Sequence, residues 1–353
     1  MVIKILSRFL CLLFGIFFFV NPVFCQSTQK ELHGEGATFP EPFYQTIFEI
    51  YSKQYGVNVY YKGTGSGKGI RQLIDKKVNF AGTDVILNEQ ELIDAKQPVI
   101  HIPTCIGAVV ITYNITGNPQ LNLTSEVIGD IFLGKITTWN DPDILAINPG
   151  VRLSNSPITV IHRIDASGTT YIFSEFLSKT HKVWKQKMGT GKELKWLTGQ
   201  GARGNPGVAG LMRQIPGSIG YVELIYAIGN QMAVASIKNR SGQFVKPTTK
   251  SVSMAANVNL TNIMNPSLTN TPVPGGYPIS GFTWIAVYRE QDYPENTKEK
   301  AEELVKLLWW ITHEGQRYTE SLHYAPLSKE IIHNTEKSIG SILYKGISIH
   351  KRK

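Results

Sequence analysis

The sequence predicts an α/β protein built as two domains, and three observations carry that reading. The chain has 353 residues, more than one ordinary hydrophobic core serves. Segments of helical periodicity alternate with short β-rich runs, the pattern of an α/β architecture. At three places a strand-like run passes through a small polar turn into a helix-like segment. Composition agrees: with 42% hydrophobic and 18% charged residues, the chain has enough apolar surface for a core and is unlike a disordered chain or a coiled coil.

The first element stands apart from the fold. Lys4 and Arg8 precede an uninterrupted apolar run over 9–20; Asn21 and Pro22 break it before Val23, Phe24, Cys25 and a polar start at Gln26. Charged, apolar, then cleavable is the order of a secretory leader, so residues 1–25 are expected to be removed on export. The run falls short of the roughly 20 apolar residues of a spanning helix, and the bulky Phe24 argues against acylation of Cys25. Cleavage after Cys25 would leave Cys105 without a partner for an intramolecular disulfide. Its apolar surroundings mark it as a buried small hydrophobe. Loss of Lys4 and Arg8 would lower the formal charge from +9 to +7. The basic residues are scattered, apart from Lys351, Arg352 and Lys353, and no basic stripe interleaved with aromatics points to nucleic acid.

In the mature chain, Phe43, Ile47, Ile50 and Tyr51 share one helical face; Ile70, Leu73 and Ile74 share another; Leu304, Leu307, Leu308 and Ile311 form a third. Strands are expected at 57–61, 107–113, 157–163, 219–222 and 281–288. Residues 247–278, rich in Asn, Thr, Ser and Pro, are expected to be irregular surface structure.

The three strand–turn–helix passages hold Gly36, Ala37, Thr38 and Phe39; then Gly63, Thr64, Gly65, Ser66 and Lys68; then Arg163, Asp165, Ser167, Gly168 and Thr169. A helix start carries unpaired N–H groups and the positive end of the dipole. Glycine lets main chain approach a ligand, and Ser and Thr add hydroxyl donors. Three such turns brought together would cage a small oxyanion; singly, each hydroxyl also fits an ordinary N-cap.

Enzyme motifs fail. Gly69 follows Lys68 where a P-loop needs Ser or Thr, and Lys68 occupies the third glycine position of a dinucleotide fingerprint. Pro216 stands where a nucleophile elbow needs glycine. The eight histidines show no metal-ligand spacing, and no candidate base adjoins Ser66 or Ser167 in sequence.

These turns, with the Phe80–Asp84 segment, the run from Asp130 through Trp139 to Asp141, and the run Pro216–Glu223, resemble the phosphate-binding protein of the high-affinity bacterial ABC-type phosphate importer, along most of the mature chain. The resemblance implies a type II periplasmic-binding-protein fold with the ligand in the interdomain cleft: 26–106 plus 277–353 as one discontinuous lobe, 107–276 as the other, joined by a hinge. It implies phosphate contacts from Thr38, the Phe39 N–H, Ser66, Asp84, Arg163, Ser167, Gly168 and Thr169, with Asp165 pairing with the arginine. It implies a monomeric, non-enzymatic, periplasmic protein without cofactor or metal, whose partners are inorganic phosphate and the permease subunits, and not nucleic acid. The rival readings are a phosphatase-like enzyme and a binder of sulfate or molybdate. Lys68 departs from the family pattern and adds a charge near the pocket mouth, or else is a solvated lysine at a helix start. If residues 1–25 are a cleaved leader, mass spectrometry of the exported protein should show a soluble chain beginning at Gln26, and retention of residues 1–25 in a membrane fraction contradicts it.

Overall fold

The computed structural model describes residues 30–257 and 267–350; the leader and the Lys351–Lys353 cluster lie outside them. Among the described residues no helix is long and apolar enough to cross a membrane. The chain opens with β1 (Glu31–Gly36), α1 (Glu41–Tyr55), β2 (Asn58–Gly63), α2 (Ser66–Ile74) and β3 (Phe80–Thr83). Pro in the first turn of α1 costs no hydrogen bond. Gly56, at φ +66°, ends the helix by donating its N–H to the Ser52 carbonyl. The predicted stripe is its buried face: Phe43, Ile47 and Tyr51, widened by Tyr44 and Phe48, with Ile50 at the half-buried edge.

The strand β4 (Val99–Asn114) is sixteen residues long, more than twice the length expected from 107–113. Pro103 breaks the expected pattern, and the structure absorbs it in a register shift. Cys105 pairs with Thr283 and Pro103 with Trp284, so Thr104 is bulged out of the ladder. The Thr104 hydroxyl then bonds Tyr44 Oη at 2.8 Å. The remaining strands along the main sheet are β5 (Thr159–Arg163), the short β6 (Gln200–Ala202), β7 (Ser218–Glu223) and β8 (Ser280–Tyr288). The strand order is β2-β1-β3-β8-β4-β7-β5-β6. β4 changes partner within its length: Val99 to Ala108 face β8, and Val109 to Asn114 face β7. This gives two lobes that share one strand. Cys105 is fully buried in the core, as a small hydrophobe should be.

Residues 247–278 depart from expectation. A helix spans Thr249–Ala255, started by a capping box between Thr248 and Ser251. It buries Val252 and Ala255, and further on Tyr277 is a core residue donating to the Val109 carbonyl at 3.1 Å. A polar composition concealed cap hydroxyls that serve main chain rather than solvent. Residues 258–266 lie outside the described part.

At the end of β1, Gly36 stands at φ +150° with its carbonyl accepting the N–H groups of Thr64 (2.7 Å) and Gly65 (2.8 Å). A Cβ there would come within 2.0 Å of the Gly82 carbonyl oxygen. Gly36→Ala is therefore expected to lower stability by about 2–4 kcal/mol through main-chain strain and overpacking. Thermal or urea unfolding measures it; an unchanged midpoint contradicts the tight junction.

Candidate binding site

The three polar turns meet. Two helices start at the centre of the meeting, α2 at Ser66 and α3 (Gly168–Thr180) after Ser167. Ser66 is fully buried. Its Oγ accepts the Gly168 N–H at 3.1 Å and lies 3.4 Å from Asp84 Oδ2. Beside it the Gly67 N–H donates to the Ala166 carbonyl at 3.0 Å. Ser167 serves as the cap of α3, accepting the Thr170 N–H at 3.1 Å. A Cβ on Gly168 would sit 2.4 Å from Asp84 Oδ2, so only glycine lets the helix start come this close to the carboxyl.

On the first turn, Thr38 Oγ1 accepts from both the main-chain N–H (3.0 Å) and the amide Nδ2 (3.1 Å) of Asn205. The Thr38 carbonyl takes the Tyr226 hydroxyl at 2.6 Å, and the Phe39 carbonyl takes the Tyr324 hydroxyl at 2.6 Å. The Phe39 ring is buried against Tyr324. Its N–H has no protein acceptor among the described residues.

Arg163, at the end of β5, is buried. Its Nε donates to Asp165 Oδ1 at 2.8 Å and its Nη2 to Asp165 Oδ2, a two-pronged pair. Nη1 reaches Thr169 Oγ1 at 3.5 Å. Burial pushes the Asp165 carboxyl up, but the Arg163 guanidinium and the Gly204 N–H (3.1 Å) outweigh it and hold the group below the usual carboxylate range. Asp84 is the opposite case. Burial pushes its carboxyl up to about 7, against the opposing pull of the Thr283 hydroxyl on Oδ1 (2.8 Å), Arg163 and Ser66.

Each site residue named from the sequence thus lies at this junction: Thr38, Phe39, Ser66 and Asp84 from one side, Arg163, Asp165, Ser167, Gly168 and Thr169 from the other. Lys68 does not reach into it; more than half exposed, it pairs with Glu35 at 2.9 Å, as a solvated helix-start lysine would. Two things were not evident from the sequence. Asp84, remote from Ser66 in the chain, is within reach of its hydroxyl, so a carboxylate does adjoin that serine. Asn205 was missed: fully buried, its Nδ2 donates to both Thr38 Oγ1 and Thr169 Oγ1 (3.1 Å each), and its Oδ1 accepts the Glu223 N–H at 3.0 Å. The available signal was a fourth strand–turn–helix passage, β6 into α4 (Gly204–Gln214). Glu223, beside it, is fully buried, and burial holds its carboxyl well above the usual range. Among the described residues no group of three or more His, Cys, Asp or Glu side chains is placed to hold a metal.

Two α/β lobes sharing a strand, with helix starts and buried hydroxyls converging between them, define a solute-binding protein of the periplasmic-binding-protein class. The model of the PBP superfamily domain matches residues 26–312. The chain is 40% identical to the phosphate-binding protein PstS of Haemophilus influenzae over 86% of its own length and 90% of that protein's. It is 39% identical to the PstS of Pasteurella multocida over 88% and 90%. In three dimensions it resembles a phosphate ABC transporter substrate-binding protein of Clostridium perfringens, solved with bound phosphate, at TM-score 0.62 and 18% identity, covering 85% of this chain and all of that one. The chain belongs to the PstS family of phosphate-binding proteins.

Arg163→Ala removes the charged donor at the junction and strands the buried Asp165. Anion binding is expected to weaken by roughly 2–5 kcal/mol, the range for truncating one partner of a buried charged pair, with a loss of stability from the orphaned carboxylate. Calorimetry on a mutant shown to be folded measures it; unchanged affinity removes Arg163 from the site.

Proposed function

We propose that this protein captures inorganic phosphate outside the cytoplasm and delivers it to the permease of an ABC-type importer. Relatives named as phosphate-binding proteins across nine-tenths of their length support it. The observation that carries it is chemical: Asp84, a buried carboxyl with hydroxyl partners and no direct cation, lies among the donors of the converging turns. In this reading Thr38, the Phe39 N–H, Ser66, Arg163, Ser167, Gly168 and Thr169 donate to the anion, and Asp165 holds the guanidinium in place. The lobes are taken as 26–106 with 277–353, and 107–276, a division supported by the partner change within β4. The leader would export the chain, which acts as a monomer and binds without turnover. The contact between Ser66 and Asp84 is the one feature that favours a phosphatase. Against it stand the relatives, which are named as phosphate-binding proteins and not as hydrolases. Sustained release of phosphate from a phosphomonoester would restore that rival.

An ionised Asp84 accepts hydrogen bonds and cannot donate. Near neutral pH phosphate retains a proton, which the carboxylate accepts; sulfate has none, and its oxygen would face the carboxylate unpaired. Below about pH 7 the raised carboxyl is protonated and able to donate to sulfate. Sulfate affinity should therefore fall by about tenfold per pH unit above about 7, one proton being linked to binding, while arsenate stays competitive. Titration calorimetry with the three anions at pH 6 and pH 8 tests this. Sub-micromolar phosphate binding corresponds to more than about 8 kcal/mol; equal affinity for sulfate at pH 8 overturns the selectivity argument, and absence of phosphate binding overturns the function. Asp84→Asn should flatten the sulfate profile. The same carboxyl affects folding: its folded value lies above the unfolded one, so its contribution is full below about pH 4 and lost as pH rises through about 7. In the ligand-free protein, Asp84→Asn should thus raise the melting temperature more at pH 8 than at pH 4.

A further inference from the structure

We propose that Lys192 and Glu91 form an ionic clasp across the cleft that positions the site and sets how slowly phosphate leaves. The inference rests on the phosphate-binding reading. Glu91 lies on the helix Glu89–Ala95 that follows Asp84 in the chain. Lys192 lies in the loop after Gly189, on the side of Ser167. Lys192 Nζ donates to Glu91 Oε1 across the junction.

Several features distinguish this pair from an ordinary surface ion pair. Its side chains are only 15% (Lys192) and 18% (Glu91) exposed, so solvent and salt screen it less than an open pair. Glu91 is pre-organised: its Oε2 accepts the Asn88 N–H at 2.9 Å and the Asn88 side chain accepts the Glu91 N–H at 2.9 Å, a capping box that fixes the carboxylate before Lys192 arrives. Little side-chain entropy remains to be lost at that end. Lys192 is tethered to the site itself, because its carbonyl accepts the Ser167 N–H at 2.9 Å. The neighbouring Gly191 N–H is held by Ser174 Oγ at 3.1 Å, on α3. The pair therefore ties the segment carrying Asp84 to the helix start formed by Ser167, Gly168 and Thr169.

Other links across the junction, among them Gly168 N–H to Ser66, Gly67 N–H to Ala166, Asn205 to Thr38 and the Tyr226 hydroxyl to the Thr38 carbonyl, use neutral groups. Glu91 with Lys192 joins full charges of opposite sign, and any separation of the lobes must part them. Lys192 acts through Ser167 and Glu91 through its helix; neither is placed against the anion, so both are positioning residues. A contact made only when the lobes meet slows dissociation and leaves encounter with the ligand little changed.

The test is stopped-flow release of inorganic phosphate from the exported chain, with association rates and unfolding midpoints measured alongside. Glu91→Gln, which keeps an acceptor for the capping box, and Lys192→Met should each speed release by about five- to tenfold with association within about twofold. Release from the wild type should accelerate between low and high salt, and release from Lys192→Met should not. The swap Glu91→Lys with Lys192→Glu should release more slowly than either single variant, a rescue that a merely structural role does not produce. Wild-type release rates in both single variants, or a swap no slower than the singles, overturn the clasp. A wild type that binds no phosphate overturns the binding reading, and the clasp with it.

Discussion

The whole arrangement depends on one strand belonging to two lobes. From Val99 to Asn114 the main chain is continuous and nearly all buried, yet its ladder passes from β8 to β7 between Ala108 and Val109. A strand cannot slip register on one side without dragging the other, because a one-residue slip moves every side chain to the opposite face of the sheet. The turns at the ends of neighbouring strands are therefore delivered to a common junction in fixed relation. Around this shared strand sit Tyr324, reaching Phe39, and Glu223, whose N–H bonds the amide oxygen of Asn205. The bulge at Thr104 lets a proline lie in a central strand without breaking this continuity.

The electrostatics of the junction follow from how each charge is partnered. Arg163 is buried but spends two donors on Asp165, so that its charge is balanced inside the protein while Nη1 still points to Thr169. An unpaired buried guanidinium would be costly to keep dry. Asp84 has hydroxyl partners and no direct cation, and its carboxyl is correspondingly pushed upward by burial. One carboxyl stays ionised to hold an arginine; the other is poised near neutrality, where a single proton decides whether it accepts or donates. The same residue type does two jobs because only one has a cation in contact.

Much of this was legible in the sequence. The stripes at Phe43, Ile47 and Tyr51 and at Leu304, Leu307, Leu308 and Ile311 are buried helix faces, because the 3.6-residue period is imposed by local geometry. The three polar turns could be found because the same order, a strand-like run, then glycine with serine or threonine, then a helical segment, recurs three times, although each hydroxyl singly also fits a cap. Legibility failed where the signal was not local. Residues 99–106 did not read as strand because Pro103 interrupts the pattern, and the bulge at Thr104 that accommodates it is visible only in the pairing with β8. The helix at Thr249–Ala255 was hidden in a polar composition.

The sequence by itself determined the fold class, the anion-suited turns and, through their resemblance to a family, the residues to examine. Only the tertiary structure decided that the turns converge, that Asn205 joins Thr38 to Thr169, and that Asp84 rather than Asp165 is the carboxyl without a cation. Helix periodicity and caps are set by neighbours a few residues away, and a sequence records those directly. Convergence, burial and the partner of a charge are set by residues more than a hundred positions apart, as Ser66 and Gly168 are, and their meeting depends on the packing of every element between.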